Sequence, residues 1–441
     1  IFELAENNSL PLQTTGHNAF WEVVKSPWVD FLHGPSRYTY RKTGMADAIM
    51  QPWDTFSFHG KGLYVEQDVR TAFGPGESSE MNRYVGRPST GNESVGHLNR
   101  AFGMALATGT MYYWFDISMG ALYEKPMLDI LAEQRKIYRE LPPVRGTTPA
   151  EVAIVSDRDS IYYTRTANPE GPFTGAISGL FKHFNELAVP FHCLTIADLL
   201  DDSITVPPHK FYIMLPALAL SGEQRRALVQ RFGREKAAVV WLYAAGPDTF
   251  EAGPSAAQCG DFLGLTMKME TASRQPEMTT AKEFGSLRCV NYNSSAPWFY
   301  PVSGFETVLG SDAAGNPMLV KTTVAGATHY FSTLMNLPLP LYAELMEQAR
   351  VQRYAERFDD PMWIGNDVLF LHAKTGGVKR FRLPPGTRAR AIVGPFEGVL
   401  ESGAGFSAVA GQTYGFVVEA QKTVTPDRKS TRLNSSHGYI S

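Results

Sequence analysis

The sequence predicts a multidomain α/β protein, and three observations carry that reading. The chain has 441 residues, which at about 150 residues per domain gives roughly three domains. Up to about residue 355, short apolar runs alternate with helical patterns, as β/α units do. Beyond that point, short strands separated by Gly and Pro turns follow one another with no helical pattern.

The composition fits. Hydrophobic residues make up 44% and charged residues 19%, a globular balance that excludes a disordered or fibrous chain. With 41 basic against 44 acidic side chains, a formal charge of -3 and no basic block, a nucleic-acid partner is not expected. No run of about 18 apolar residues could span a bilayer, so a soluble protein with no membrane partner is expected. Aromatics at 12%, with 39 Gly and 29 Pro, suit a loop-rich enzyme or a carbohydrate-binding protein. Cys193, Cys259 and Cys289 form no CxxC pair and no framework, leaving at most one bridge.

In the first part, residues 1–145, apolar runs at 28–32, 62–65 and 110–115 read as strands. Between the last two, Leu98, Phe102, Ala105 and Leu106 recur at helical spacing over 95–108, as in a helix covering a parallel sheet. A complete (β/α)8 barrel needs about 250 residues and one unit roughly 30, so this part holds about four units, half a barrel. The helix over 126–145 breaks at Pro142 and Pro143, and the turn-rich Gly146 to Pro149 marks a boundary. In the second part, 146–355, strands at 152–155, 211–215, 237–243 and 328–331 alternate with helices at 176–187 and 222–232, predicting an open, mostly parallel sheet. The third part, 356–420, has strands at 368–372, 378–383, 389–393 and 413–418 and predicts a small β-sandwich. Ile1 opens in mid-element, so the N-terminus is expected to be cut and the compartment stays unknown. Residues 428–441 resemble translated adapter sequence and are expected to be a non-native tail.

In a β/α barrel, reactive groups project from the C-terminal ends of the strands. The run Leu63-Tyr64-Val65 delivers Glu66 at such an end, with Asp68 and Arg70 alternating after it. A carboxylate there can act as nucleophile or proton carrier, and a guanidinium nearby favours its charged form. A structural ion pair at a strand end is the other reading of the same residues. After the run Val29 to Leu32 come His33, Gly34, Pro35, Ser36 and Tyr38, where Tyr38 either donates to the neighbouring carboxylate or packs on the flank of a turn. The run Met111 to Phe115 ends in Asp116, so Trp114 and Asp116 read either as a sugar platform with a hydroxyl acceptor or as core. No His, Cys and Asp cluster has zinc spacing, and no metal or cofactor is expected.

Taken in order, these segments resemble the (β/α)8 glycoside hydrolases, most closely the β-galactosidase-like enzymes of glycoside hydrolase family 42. The resemblance implies a catalytic barrel, then an amidotransferase-like (flavodoxin-like) α/β domain that mediates trimerisation, then a small β domain. It places the nucleophile on Glu66 at the end of barrel strand seven, with strand six at 29–32 and strand eight at 112–115. Asp68 and Arg70 would hold Glu66, Tyr38 would position it, and Trp114, Asp116, His33 and Trp53 would line the sugar subsite. The family's general acid/base is a Glu after an Asn at the end of strand four. No such pair precedes strand six here, so that residue is expected upstream of Ile1 and this chain alone is expected to be inactive. The implied substrate is a β-glycoside, in an oligo- or polysaccharide, cleaved with retention. A competing site in the second part would need a Cys or Ser on a glycine-flanked elbow, and Leu215 to Ser221 offers none. A non-catalytic carbohydrate-binding or assembly protein is the alternative function.

Overall fold

The computed structural model describes residues 20–38, 40–49, 51–74, 78–116, 120–141, 150–157, 159–160, 180, 183–249, 253–272, 275–290 and 297–421. Three parallel strands lie side by side in chain order: β1 (Phe31–Pro35), β2 (Gly62–Gln67) and β3 (Met111–Trp114). The first begins at Phe31 rather than Trp28, because Pro27 and Trp28 sit in a turn that leaves Trp28 90% exposed. Among the described residues this sheet does not close into a barrel. Helices α1 (Phe20–Lys25) and α2 (Trp53–Phe58) flank β1 in sequence. Helices α3 (Ser79–Tyr84) and α4 (Gly91–Thr108) join β2 to β3, and α5 (Lys125–Glu140) follows β3.

Helix α4 positions most of this region. The Thr90 hydroxyl accepts from the Glu93 amide at 3.2 Å, the Glu93 carboxylate accepts from the Ser89 amide, and Gly109 stops the helix in the left-handed region at φ 71°. From Gly96 to Thr108 every residue is buried. One side packs on the sheet, with Phe102 edge-on to Tyr112. On another, a Cβ at Gly103 would lie 2.3 Å from the Phe370 ring, and one at Gly96 would lie 1.8 Å from the Gly411 carbonyl. These glycines admit the C-terminal β region, which the helical periodicity alone did not reveal.

A nine-stranded sheet dominates the middle of the chain. Its parallel half contains β4 (Val152–Ser156), β5 (Phe191–Thr195), β6 (Phe211–Met214), β7 (Ala238–Leu242) and Ala327–Ser332. The other half, Pro317–Val324, Thr307–Ser311, Glu277–Thr280 and Arg288–Val290, is antiparallel, so the mostly parallel sheet expected from sequence is corrected to a mixed one. The physical reason is connection length. Ala325 and Gly326, both at positive φ (52° and 87°), turn the chain in two residues, which permits only a hairpin. Helices α6 (Ile196–Leu200) and α7 (Gly222–Glu235) flank the parallel half, and both start with a capping box. Of the helix expected over 176–187, positions 176–179, 181 and 182 lie outside the described residues, and Phe184–Leu187 forms one 3-10 turn.

The C-terminal region is a five-stranded antiparallel sheet, Met362–Gly365, Val368–His372, Thr413–Ala420, Thr387–Val393 and Val399–Leu400, with a two-stranded ribbon of Gly377–Arg380 and Gly405–Ala408. Ribbon and sheet share an aromatic core in which Phe406 meets Phe416 and Tyr414. The three cysteines are buried and form no disulfide with one another. Residues 428–441 lie outside the described residues. Among the described residues no helix is long and apolar enough to cross a membrane.

Residues of α2 tie the first sheet to the second. The Asp54 carboxylate accepts from the Cys193 amide at 2.7 Å, and Asp198 of α6 accepts from the Thr55 hydroxyl at 2.6 Å. Adding a methyl at Gly103 forces apart α4 and Phe370. Gly103→Ala should therefore lower the unfolding free energy by about 1–3 kcal/mol in urea titrations, despite the better helix propensity of Ala. The same change at Gly222, where a Cβ meets only the tip of Arg226, should not.

Candidate active site

Alternation along β2 decides what Glu66 faces. Leu63 and Val65 are buried on one side of the sheet, so Tyr64 and Glu66 point to the opposite, more open side. Registered partners on parallel strands share a face. His33 pairs with Tyr64, and Tyr113 pairs with Glu66. The Tyr113 hydroxyl donates to Glu66 Oε2 at 2.5 Å. His33 Nε2 lies 3.0 Å from that hydroxyl and 3.5 Å from Glu66 Oε2, with its ring stacked on Tyr113 at 5.6 Å. The bond to Glu66 pushes the Tyr113 phenol up to about 12, so at neutral pH it stays a donor.

Behind this face lies a buried ionic brace. Asp68, 1% exposed, is paired with Arg41 and, at 3.1 Å, with Arg70 Nη1. Arg41 Nη2 also donates to the Ser36 carbonyl at 2.6 Å, and the Ser36 hydroxyl donates to Gln67 at 3.2 Å, so the ends of β1 and β2 are stitched together. Arg100 of α4 donates to the carbonyls of Arg41, Lys42 and Met45, holding the loop that presents Arg41. Burial raises the Asp47 carboxyl in the same loop, against the pull of Arg100 and Arg41.

The expected residues divide accordingly. Glu66 and His33 share the open face, with side chains 19% and 46% exposed. Tyr38 sits over Arg41, 4.3 Å from ring centre to guanidinium, and stacks on Tyr84. Burial and the neighbouring Asp68 raise its phenol. The tyrosine that holds Glu66 is therefore Tyr113, not Tyr38, and Asp68 and Arg70 pair with each other behind the site. Trp53 cannot line a sugar subsite, since it is 3% exposed between the rings of Phe191 and Trp363. Trp114 falls on the helix side of β3, opposite Tyr113, and packs with Val69, Leu98, Leu122 and Met127. The Asp116 carboxylate accepts from the amides of Gly120 and Ala121. Tyr113 was missed because its neighbours Tyr112 and Trp114 are also aromatic, and only the register separates them. Among the described residues no group of three His, Cys, Asp or Glu side chains could hold a metal ion.

The fold that carries this site is found in solved structures: it is that of β-galactosidases, among them those of glycoside hydrolase family 42. The chain is similar to the β-galactosidase of the psychrophilic Marinomonas ef1, at 14% identity and a TM-score of 0.60 over 88% of this chain and 60% of that one. It is similar also to the Rahnella sp. R3 β-galactosidase (12%, TM-score 0.59, 90% of this chain and 61% of that one). A third is Gan42B, a family 42 β-galactosidase from G. stearothermophilus (12%, TM-score 0.57, 88% and 64%). The chain thus spans about three fifths of the length of these proteins. No family model and no curated protein sequence matches it.

The Tyr113–Glu66 bond has a titration signature. In 13C-tyrosine NMR, Tyr113 should titrate near pH 12 and fall back toward 10 in Glu66→Gln, where the acceptor is neutral. Because the folded value is the raised one, the bond's contribution to stability is complete below pH 10 and lost as pH rises through 12. An unshifted Tyr113 resonance in Glu66→Gln would remove the pairing.

Proposed function

We propose that the chain carries the nucleophile half of a retaining β-glycosidase with a β-galactosidase-like substrate. The observation that carries this reading is Glu66 at the end of β2, held on the open face of the sheet by Tyr113. Glu66 attacks the anomeric carbon as the bond to the leaving oxygen breaks, forming a glycosyl ester. A second carboxyl about 5–5.5 Å away protonates the leaving oxygen, then takes a proton from the water that releases the sugar. Asp68 does not suit that second role, since its oxygens are engaged by Arg41 and Arg70. The acid/base is assigned to a part of the barrel beyond β1, β2 and β3.

Tyr113 fixes which oxygen of Glu66 is free to attack, and His33 accepts or donates at the rim of the sugar site. In the division 1–145, 146–355 and 356–420, the nine-stranded sheet is the amidotransferase-like domain through which copies of the chain trimerise. The exposed ring of Phe31 beside Tyr64 also favours a second reading, a face that binds sugar without cleaving it.

The two readings separate on one experiment. The chain is joined to the N-terminal barrel half of a solved relative and given p-nitrophenyl β-D-galactoside. Glu66→Ala should lower kcat by about a thousandfold or more. Turnover equal to that of the unsubstituted chimera would remove Glu66 as nucleophile, and saturable galactose binding without any turnover would favour the binding protein.

A further inference from the structure

A cleft of about 690 Å³ opens where the nine-stranded sheet meets the C-terminal β region, and it involves none of the residues around Glu66. Its walls come from residues just ahead of β4 and β6, from the stretch 350–354 after helix α8 (Leu339–Gln348), and from Arg382 and Pro384. Small-molecule sites commonly have this size, about 300–1,000 Å³, and lie between domains.

The charges in the cleft do not balance. Lys210 and Glu151 neutralise each other at 2.5 Å. That leaves Arg350, Arg353 and Arg382 against Glu347 alone. Arg350 and Arg382 are exposed, and among the described residues neither guanidinium has a carboxylate or hydrogen-bond partner. Arg353 is only 9% exposed. Its Nε donates to the Leu187 carbonyl at 3.2 Å and its guanidinium lies 4.6 Å from the centre of the Phe358 ring, so it adds charge beside the cleft and leaves the exposed Arg350 and Arg382 to meet a ligand. Like charges lining one cleft repel each other, and an anion between them relieves that repulsion. Arg350 adds a backbone cost, standing at φ 56° after the C-terminus of α8 where glycine is the least strained residue. Strain of this kind gathers at ligand clamps.

The geometry points to an anion site that takes a phosphate ester of small-molecule size, with the phosphate between Arg350 and Arg382 and the organic part against Tyr354 and Pro384. Guanidinium forks match phosphate oxygens in pairs, which a lysine cannot do. The site is independent of the glycosidase reading.

Calorimetry on the 441-residue chain tests it, with glucose 6-phosphate, ADP, inorganic phosphate and glucose as probes. One of the two esters should bind saturably and more tightly than inorganic phosphate, and glucose should not bind. The tighter ester then shows whether the organic part is a sugar or a nucleoside. The double variant Arg350→Asn/Arg382→Gln should weaken the ester at least about tenfold. Asn tolerates the left-handed backbone at 350, and both side chains are exposed, so the circular dichroism and Tm of the free chain should not move. Arg382→Lys should weaken binding less than Arg382→Gln, since it keeps the charge and loses the fork. Failure of both esters to bind saturably, or affinity untouched by the double variant, would overturn the proposal.

Discussion

Helix α4 has no free face over its last 13 residues, Gly96 to Thr108, and the rest of the structure is arranged around that constraint. A helix buried on all sides must be met by different partners in different directions. Phe102 meets the parallel sheet, Gly96 and Gly103 admit the C-terminal β region, and Arg100 reaches the loop after β1. The last contact matters most for chemistry. By holding the carbonyls of 41, 42 and 45, Arg100 fixes the loop from which Arg41 enters the pair with Asp68, two residues beyond Glu66.

That ionic group is a poor source of net stability. Desolvating Arg41, Asp68 and Arg70 costs several kcal/mol per ion, roughly returned by their attraction and hydrogen bonds. Its structural effect is specificity: it allows one arrangement of the ends of β1 and β2, with Ser36 bonded to Gln67. With the strand ends fixed, the register sets Glu66 beside Tyr113 and no adjustable loop is needed to bring them together. Strand-borne groups are held more precisely than loop-borne ones, which suits the nucleophilic role proposed for Glu66.

Much of this was legible in the sequence, for identifiable reasons. Leu63 and Val65 recur at every second position and are followed by a charged residue, so the strand and the position of Glu66 at its end could be read directly. The strands at 152–156, 211–214 and 238–242 are continuous apolar runs, and their positions were read within a residue or two. What failed was parity and partnership. In Tyr112-Tyr113-Trp114 every residue is aromatic, so no pattern says which one shares a face with Glu66. Tyr38 lies near a strand end but turns to Arg41, and Trp53 is placed by Phe191 and Trp363, remote in sequence. The antiparallel half of the large sheet had a readable signal, the two-residue turn at Ala325 and Gly326, outweighed by the β/α rhythm around it.

The central claim is that Glu66 is the carboxylate that bonds to the sugar. Its most direct test is covalent trapping: the chimera of the chain with the N-terminal half of a solved β-galactosidase is treated with a 2-deoxy-2-fluoro-galactosyl fluoride, and the labelled peptide is sequenced by mass spectrometry. The account predicts an ester on Glu66, in the peptide that also contains Asp68. A label on Asp68 or on any other carboxylate, in an enzyme that turns over its substrate, would contradict it.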